Sequence, residues 1–175
     1  PDVLGLSHYM WNSALSYRVC EYAKETDEQI LSILGGPEFP SGTGQINLSA
    51  SVKKDCFDYL LKRPAVDYYC YSDGETALVS IMEHYIACEK NVRSMRNSLI
   101  PIDGTVSVDQ STHKIMIGKP QLRIGLNKHL GRDVIPSPYL SGLLDEFLDG
   151  TYIPAIESRR GCPFLCTFCD QGLDS

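Results

Sequence analysis

The chain has 175 residues, one ordinary domain's worth with two as the outer limit. Apolar residues make up 43% and charged residues 22%, which excludes disorder, collagen and fibrous arrays. Sixteen Lys and Arg stand against 22 Asp and Glu, a net charge of -6, so there is no basic surface large enough to make nucleic acid the main partner. No apolar run approaches the roughly 20 residues that cross a bilayer, and no basic-then-apolar leader opens the chain. The expectation is a soluble protein that is not exported. The opening Pro1 to Ser7 reads as a strand already under way, and the sequence stops six residues after Cys169, so a piece of a longer protein is expected.

Val3 to Leu6 is a short apolar run of the kind buried on both faces of a parallel sheet. A helix follows, capped by Asn12 or Ser13, with Leu15, Val19, Tyr22 and Ala23 on its inward stripe and Lys24, Glu25, Asp27 and Glu28 toward water. Gln29 to Leu34 is a second two-sided run, and it ends at Gly35-Gly36-Pro37, where the backbone turns tightly and a ligand can approach closely. Glu38 to Ala50 reads as a long loop, suited to a lid or binding role. Ser51 caps a helix through Lys62 with Val52, Phe57, Leu60 and Leu61 inward, and Pro64 stops it. Ala65 to Tyr71 is a third strand. After Ser72-Asp73-Gly74-Glu75, Thr76 caps a helix with Leu78, Ile81, Met82, Tyr85 and Ile86 at helical spacing. Three strands alternating with three helices define an α/β fold, a parallel Rossmann-like (flavodoxin-like) sheet with right-handed crossovers.

After about Asn97 the pattern changes. Gly104 to Val108 and Lys114 to Ile117 alternate around a polar turn and form a β-hairpin within a linker. Ser137 caps, and Pro138 opens, a helix with Leu140, Leu143, Leu144, Phe147 and Leu148 on one stripe, ended by Gly150. Tyr152 to Ser158 is a strand leading into Cys162, Cys166 and Cys169. The expected units are residues 1–97, a linker at 98–151, and the start of a further domain at 152–175.

Seven cysteines, three of them within eight residues and four scattered, suit a reducing compartment with one metal site rather than a disulfide framework, which points to the cytoplasm. The spacing C-x3-C-x2-C lets three thiolates from one loop converge on one inorganic centre. With four irons and three cysteines, a cubane cluster keeps one iron open for a ligand. The alternative is a zinc site completed by Asp170 or by a group outside the sequence, although zinc modules usually pair two short hooks and no second hook lies upstream. Cys20, Cys56, Cys70 and Cys88 read as small buried hydrophobes.

The spacing, Phe168 before the last cysteine, and the lead-in Ser158-Arg159-Arg160-Gly161-Cys162-Pro163 together resemble the radical S-adenosylmethionine (radical SAM) family. That resemblance implies a [4Fe-4S] cluster on Cys162, Cys166 and Cys169 whose open iron chelates S-adenosylmethionine. Reduction by a donor such as flavodoxin or ferredoxin then releases a 5′-deoxyadenosyl radical. It also implies a βα barrel whose first strand is Tyr152 to Ser158, with the site at the carboxyl ends of the strands.

Ligands of open parallel sheets sit beyond the carboxyl ends of the strands, at the switch in strand order. No phosphate-binding loop is present, since Gly118-Lys119 is followed by proline, and Asn47 replaces the third glycine of a dinucleotide fingerprint. The order of the strand ends, Gly-Leu-Ser, then Gly-Gly-Pro, then Asp-Gly-Glu, is similar to cobalamin-binding domains placed ahead of radical SAM barrels. The resemblance spans nearly the whole chain. It implies that Ser7, Gly35 and Gly36 line a slot for the nucleotide tail of cobalamin, that Gly74 and Glu75 form a third contact, and that His8 lies near the cobalt-ligand face. The D-x-H-x-x-G motif that supplies a cobalt-binding histidine in many such domains is absent. His84, His113 and His129 read as helix or linker surface.

The family resemblance implies methyl transfer to an unactivated carbon of a small-molecule substrate, with rearrangement, cyclisation or oxidation also open. Two other functions are retained: a radical SAM oxidoreductase whose α/β domain has lost its ligand, its slot filled by side chains of the loop 38–50, and a non-catalytic corrinoid- or zinc-binding module.

Overall fold

The computed structural model describes residues 1–40, 50–71, 73–121 and 137–156. Strands β1 (Val3–Ser7), β2 (Leu31–Gly35) and β3 (Tyr68–Cys70) alternate with helices α1 (Ser13–Thr26), α2 (Ala50–Leu61) and α3 (Gly74–Ala87). A short helix α4 (Val92–Asn97) and two further strands, β4 (Thr105–Asp109) and β5 (Lys114–Ile117), follow. The sheet order is β1-β2-β3-β4-β5; the first three strands are parallel, and β4 and β5 are antiparallel. This is a mostly parallel α/β sheet compatible with a Rossmann-like fold. None of the described helices is long and apolar enough to cross a membrane.

The strands form where apolar runs alternate between two cores. Leu34 and Tyr69 point to the layer of α1 and α2, where they meet Cys20, Cys56 and Leu60. Leu31, Ile33 and Tyr68 point the other way, onto Ile81, Tyr85, Val92 and Met95 of α3 and α4. The hairpin of β4 and β5 stands where the alternation places it, but it belongs to the sheet: Val106 pairs with Tyr69 and Thr105 with Cys70. A β-hairpin alone is marginal in water, and the edge of β3 supplies the partner it needs.

The helix faces are narrower than expected. In α1 the buried residues are Ser16, Cys20 and Ala23, whereas Leu15 and Tyr22 are exposed. In α3 they are Ala77, Ile81 and Tyr85, and Leu78 and Ile86 face outward. Both helices are apolar on more than one side, so periodicity does not select the packed face. Residues 137–150 form turns and one 3-10 turn at Asp145–Phe147 instead of a continuous helix, with Gly142 at φ +76° interrupting it. Residues 152–156 pair with no strand among the described residues, and the rest of that expected strand lies outside them.

The amino-terminal edge of the sheet is closed by Asp67, whose carboxylate is fully buried. Its Oδ2 accepts from Ser32 N at 2.7 Å and Ser32 Oγ at 2.9 Å, and it pairs with Lys24 Nζ at 2.6 Å. Its Oδ1 accepts from Arg96. Lys24 was expected in water, yet its side chain is only 13% exposed, because its amine is drawn beneath the strands to this charge. One carboxylate thus ties α1, β2, β3 and α4 together. Asp67→Ala leaves two cations facing a buried void and is expected to destabilise the fold by roughly 3 kcal/mol, read as a drop in the urea midpoint.

Candidate functional site

The opposite, carboxyl edge is built by three strand tips in register: Ser7 lies beside Gly35, and Gly35 beside Cys70. Among the described strands the order contains no reversal, so no switch point marks a crevice. What distinguishes this edge is backbone and open space. A Cβ on Gly74, the first residue of α3, would meet nothing within 4 Å. One on Gly35 would reach only ordinary contact with Cys70, at 3.4 Å. Glu75 follows in the first turn, where a carboxylate suits the helix dipole.

Gly36 is different. Its φ is +146°, and a Cβ there would lie 2.3 Å from the His8 carbonyl oxygen. The β1 and β2 tips touch backbone to backbone at this point. Glycine is therefore required by the fold itself, beyond the ligand access for which the sequence suggested it.

Ser7 is exposed at the end of β1. Asn12 Nδ2 donates to its carbonyl at 3.2 Å and its Oγ at 3.3 Å, and Asn12 Oδ1 accepts from Tyr9 N at 2.7 Å. Asn12 occupies the cap position of α1 but uses its side chain to fix the loop before the helix.

His8 faces inward rather than toward the edge, and is fully buried. The Tyr69 and Tyr59 hydroxyls lie 3.1 and 3.2 Å from its Nδ1, and Tyr69 OH donates to the Gly36 carbonyl at 3.0 Å. Its Nε2 has no hydrogen-bond partner among the described residues. Phe39, at the start of the long loop, stacks on Tyr69 with centroids 4.3 Å apart, so its ring is taken into the core. The remainder of that loop, 41–49, lies outside the described residues. Desolvation holds the His8 pKa below its ordinary 6.5, assisted by Arg63 and opposed by Ser13 and Glu38. Tyr59 and Tyr69 were not singled out from sequence, and Asn12 was read there as a helix cap rather than as the side chain that fixes the loop before the helix.

Cys162, Cys166 and Cys169 lie outside the described residues. Within them, no group of three or more His, Cys, Asp or Glu could hold a metal ion. Burial pushes the thiols of Cys20, Cys56 and Cys70 up to about 11, so they are neutral and unreactive at physiological pH. A cavity of about 570 Å³ lies at the far edge, near Asp67. Its cations are already spoken for: Lys24 and Arg96 by Asp67, and Arg93 by Glu28.

In parallel α/β sheets that bind small molecules or cofactors, the ligand sits at the carboxyl edge. No family model matches the chain. Two characterised relatives do, both over 98% of its length. One is the 2-(S-pantetheinyl)-carbapenam-3-carboxylate methyltransferase of Streptantibioticus cattleyicolor, 30% identical over 178 residues. The other is the cobalamin-dependent radical SAM methyltransferase TokK of Streptomyces tokunonensis, 29% identical over 179 residues. The chain spans 22% of the length of each. It thus matches a fragment of the cobalamin-dependent radical SAM methyltransferases, a family whose cofactors are cobalamin, S-adenosylmethionine and a [4Fe-4S] cluster.

Two outcomes follow from the glycines and His8. Gly36→Ala is expected to lower the melting temperature sharply, whereas Gly35→Ala and Gly74→Ala leave it nearly unchanged; equal losses at all three would contradict the backbone contact. Because the folded state disfavours protonated His8, the unfolded chain binds more protons below its pKa, and stability falls as pH drops below about 6.5. Urea midpoints from about pH 7.5 to about pH 5.5 should show a shallower decline in His8→Gln than in the parent protein.

Proposed function

We propose that this chain carries the cobalamin-binding domain and the cluster loop of a cobalamin-dependent radical SAM methyltransferase. Residues 1–97 form the corrinoid domain, 98–151 the connecting segment with its hairpin, and 152–175 the start of the radical SAM domain. The observation that carries this reading is the likeness to TokK over 98% of the chain, in a protein whose sheet has Gly35 and Gly36 at its carboxyl edge and an open Gly74 beside them. When bound, the cluster with S-adenosylmethionine supplies a radical able to remove a hydrogen atom, and cobalamin supplies the methyl group.

The protein's part is to bind and orient. Cys162, Cys166 and Cys169 would hold the cluster, and three cysteines for four irons would allow S-adenosylmethionine to bind it. Ser7 and Gly35 line the slot for the nucleotide tail, with the Gly36 carbonyl held by Tyr69 behind it and Gly74 and Glu75 bordering it. The donors suit such a tail: backbone approached at close range, one hydroxyl, and no side chain in the way at Gly74. His8 supports the slot from within, since its ring is fully buried and its Nδ1 is held between the two tyrosine hydroxyls. The substrate is a small molecule with an unactivated carbon, the reductant a flavodoxin or ferredoxin, and the compartment the cytoplasm.

Anaerobic reconstitution of the full-length protein tests the cluster. Wild type is expected to develop broad iron–sulfur absorption that Cys166→Ala loses; retention of zinc with no such absorption would favour a zinc-binding module instead. Gly74→Trp tests the other cofactor: it should leave the melting temperature unchanged and lower cobalamin affinity by roughly tenfold. Unaltered affinity would remove Gly74 from the site.

A further inference from the structure

His8 is joined to the carboxyl edge by its backbone as well as its ring. Its N–H donates to the Gly35 carbonyl at 2.8 Å, and its own carbonyl, against which Gly36 packs, accepts from Glu38 N at 3.4 Å. Ser7, exposed at the tip of β1, is the residue before it. A displacement of His8 is therefore felt at Ser7, Gly35 and Gly36 together.

The ring suits one charge state in this position. Tyr69 on β3 has a single hydroxyl proton, which goes to the Gly36 carbonyl at 3.0 Å. Its oxygen, 3.1 Å from Nδ1, is then the acceptor, which assigns the imidazole proton to Nδ1 and leaves Nε2 its lone pair. Nε2 is buried and has no partner among the described residues. A second proton would create a charged ring in a fully buried place. The groups facing it divide. Desolvation weighs most against the charge, and the Arg63 guanidinium, 3.7 Å over the Tyr59 ring, adds to it; the Ser13 backbone on α1 and Glu38 after β2 act the other way. Tyr59 on α2 and Tyr69 bring no negative charge, since burial raises both hydroxyls above their ordinary 10. To reach water the charged ring has to leave the two tyrosines, and Tyr69 then loses the donor that directs its own proton to Gly36.

We propose that His8 makes cobalamin binding proton-linked, the nucleotide tail entering the slot while the buried imidazole is neutral and acid favouring its release. This rests on the cobalamin reading above and adds to it a regulation by pH. A ligand lying over Ser7 and Gly35 shuts water from the strand tips beside His8, so the complex refuses a proton that the free protein accepts. Binding must then release that proton, and affinity falls as pH drops below the ordinary 6.5 of His8 and is constant well above it.

The test measures methylcobalamin binding to the full-length protein in the dark, from about pH 7.5 to about pH 5.5, with circular dichroism showing the protein folded at each pH. Wild type is expected to lose affinity by roughly threefold or more over this span, while His8→Gln, which takes up no proton and keeps an amide for the tyrosines, stays flat. Calorimetry at about pH 6 in two buffers of different ionisation heat reads the same linkage without a variant, and wild type should release a fraction of a proton per ligand bound. Affinity independent of pH, an equal decline in His8→Gln, or no proton release would each overturn the inference. If His8→Gln does not fold, the calorimetric result decides. If wild type fails to bind methylcobalamin even at the upper end of the range, it is the cobalamin reading itself that fails.

Discussion

The carboxyl edge of the sheet depends on one close approach, the Gly36 backbone against the His8 carbonyl. Only glycine permits that distance at that φ, and the contact joins the tips of two adjacent parallel strands. Hydrogen bonds behind it make the arrangement a ring: Tyr69 reaches the Gly36 carbonyl and the His8 imidazole, and Tyr59 reaches the same imidazole. These buried contacts at Nδ1 and at the Gly36 carbonyl favour one geometry, since displacing the rings would break them. The tips of β1 and β2 are consequently fixed to one another.

The two edges of the sheet have opposite characters. At the amino-terminal edge a buried carboxylate draws Lys24 and Arg96 inward, and the nearby cavity offers no uncommitted positive group among its lining residues. At the carboxyl edge, Gly36 is packed against the His8 backbone, Gly74 faces open space, and Trp11 is exposed with its ring stacked on Tyr9. The first edge spends its interactions on cohesion.

Much of this architecture was legible in the sequence, because fully buried parallel strands are uninterrupted apolar runs that glycine and proline punctuate. Two kinds of feature were not. Helix faces such as Leu15 and Tyr22 were misassigned because an apolar stripe names no partner, and the hairpin was taken for linker because its pairing with β3 is non-local. Gly142 broke an expected helix through a backbone conformation that a hydrophobic count does not register. At the site, the positions of Ser7, Gly35, Gly36, Gly74 and Glu75 at strand ends were readable. The inward turn of His8 was not, since it depends on Tyr59 and Tyr69, some fifty and sixty residues away.

Hydrogen–deuterium exchange on the full-length protein with and without cobalamin tests the central claim most directly, because it reports which edge of the sheet the ligand covers. The account predicts slower exchange at residues 7–12, 35–39 and 73–76, with little change around Asp67 and Arg96. Protection centred on Lys24, Asp67 and Arg96, with the strand tips unaffected, would contradict it.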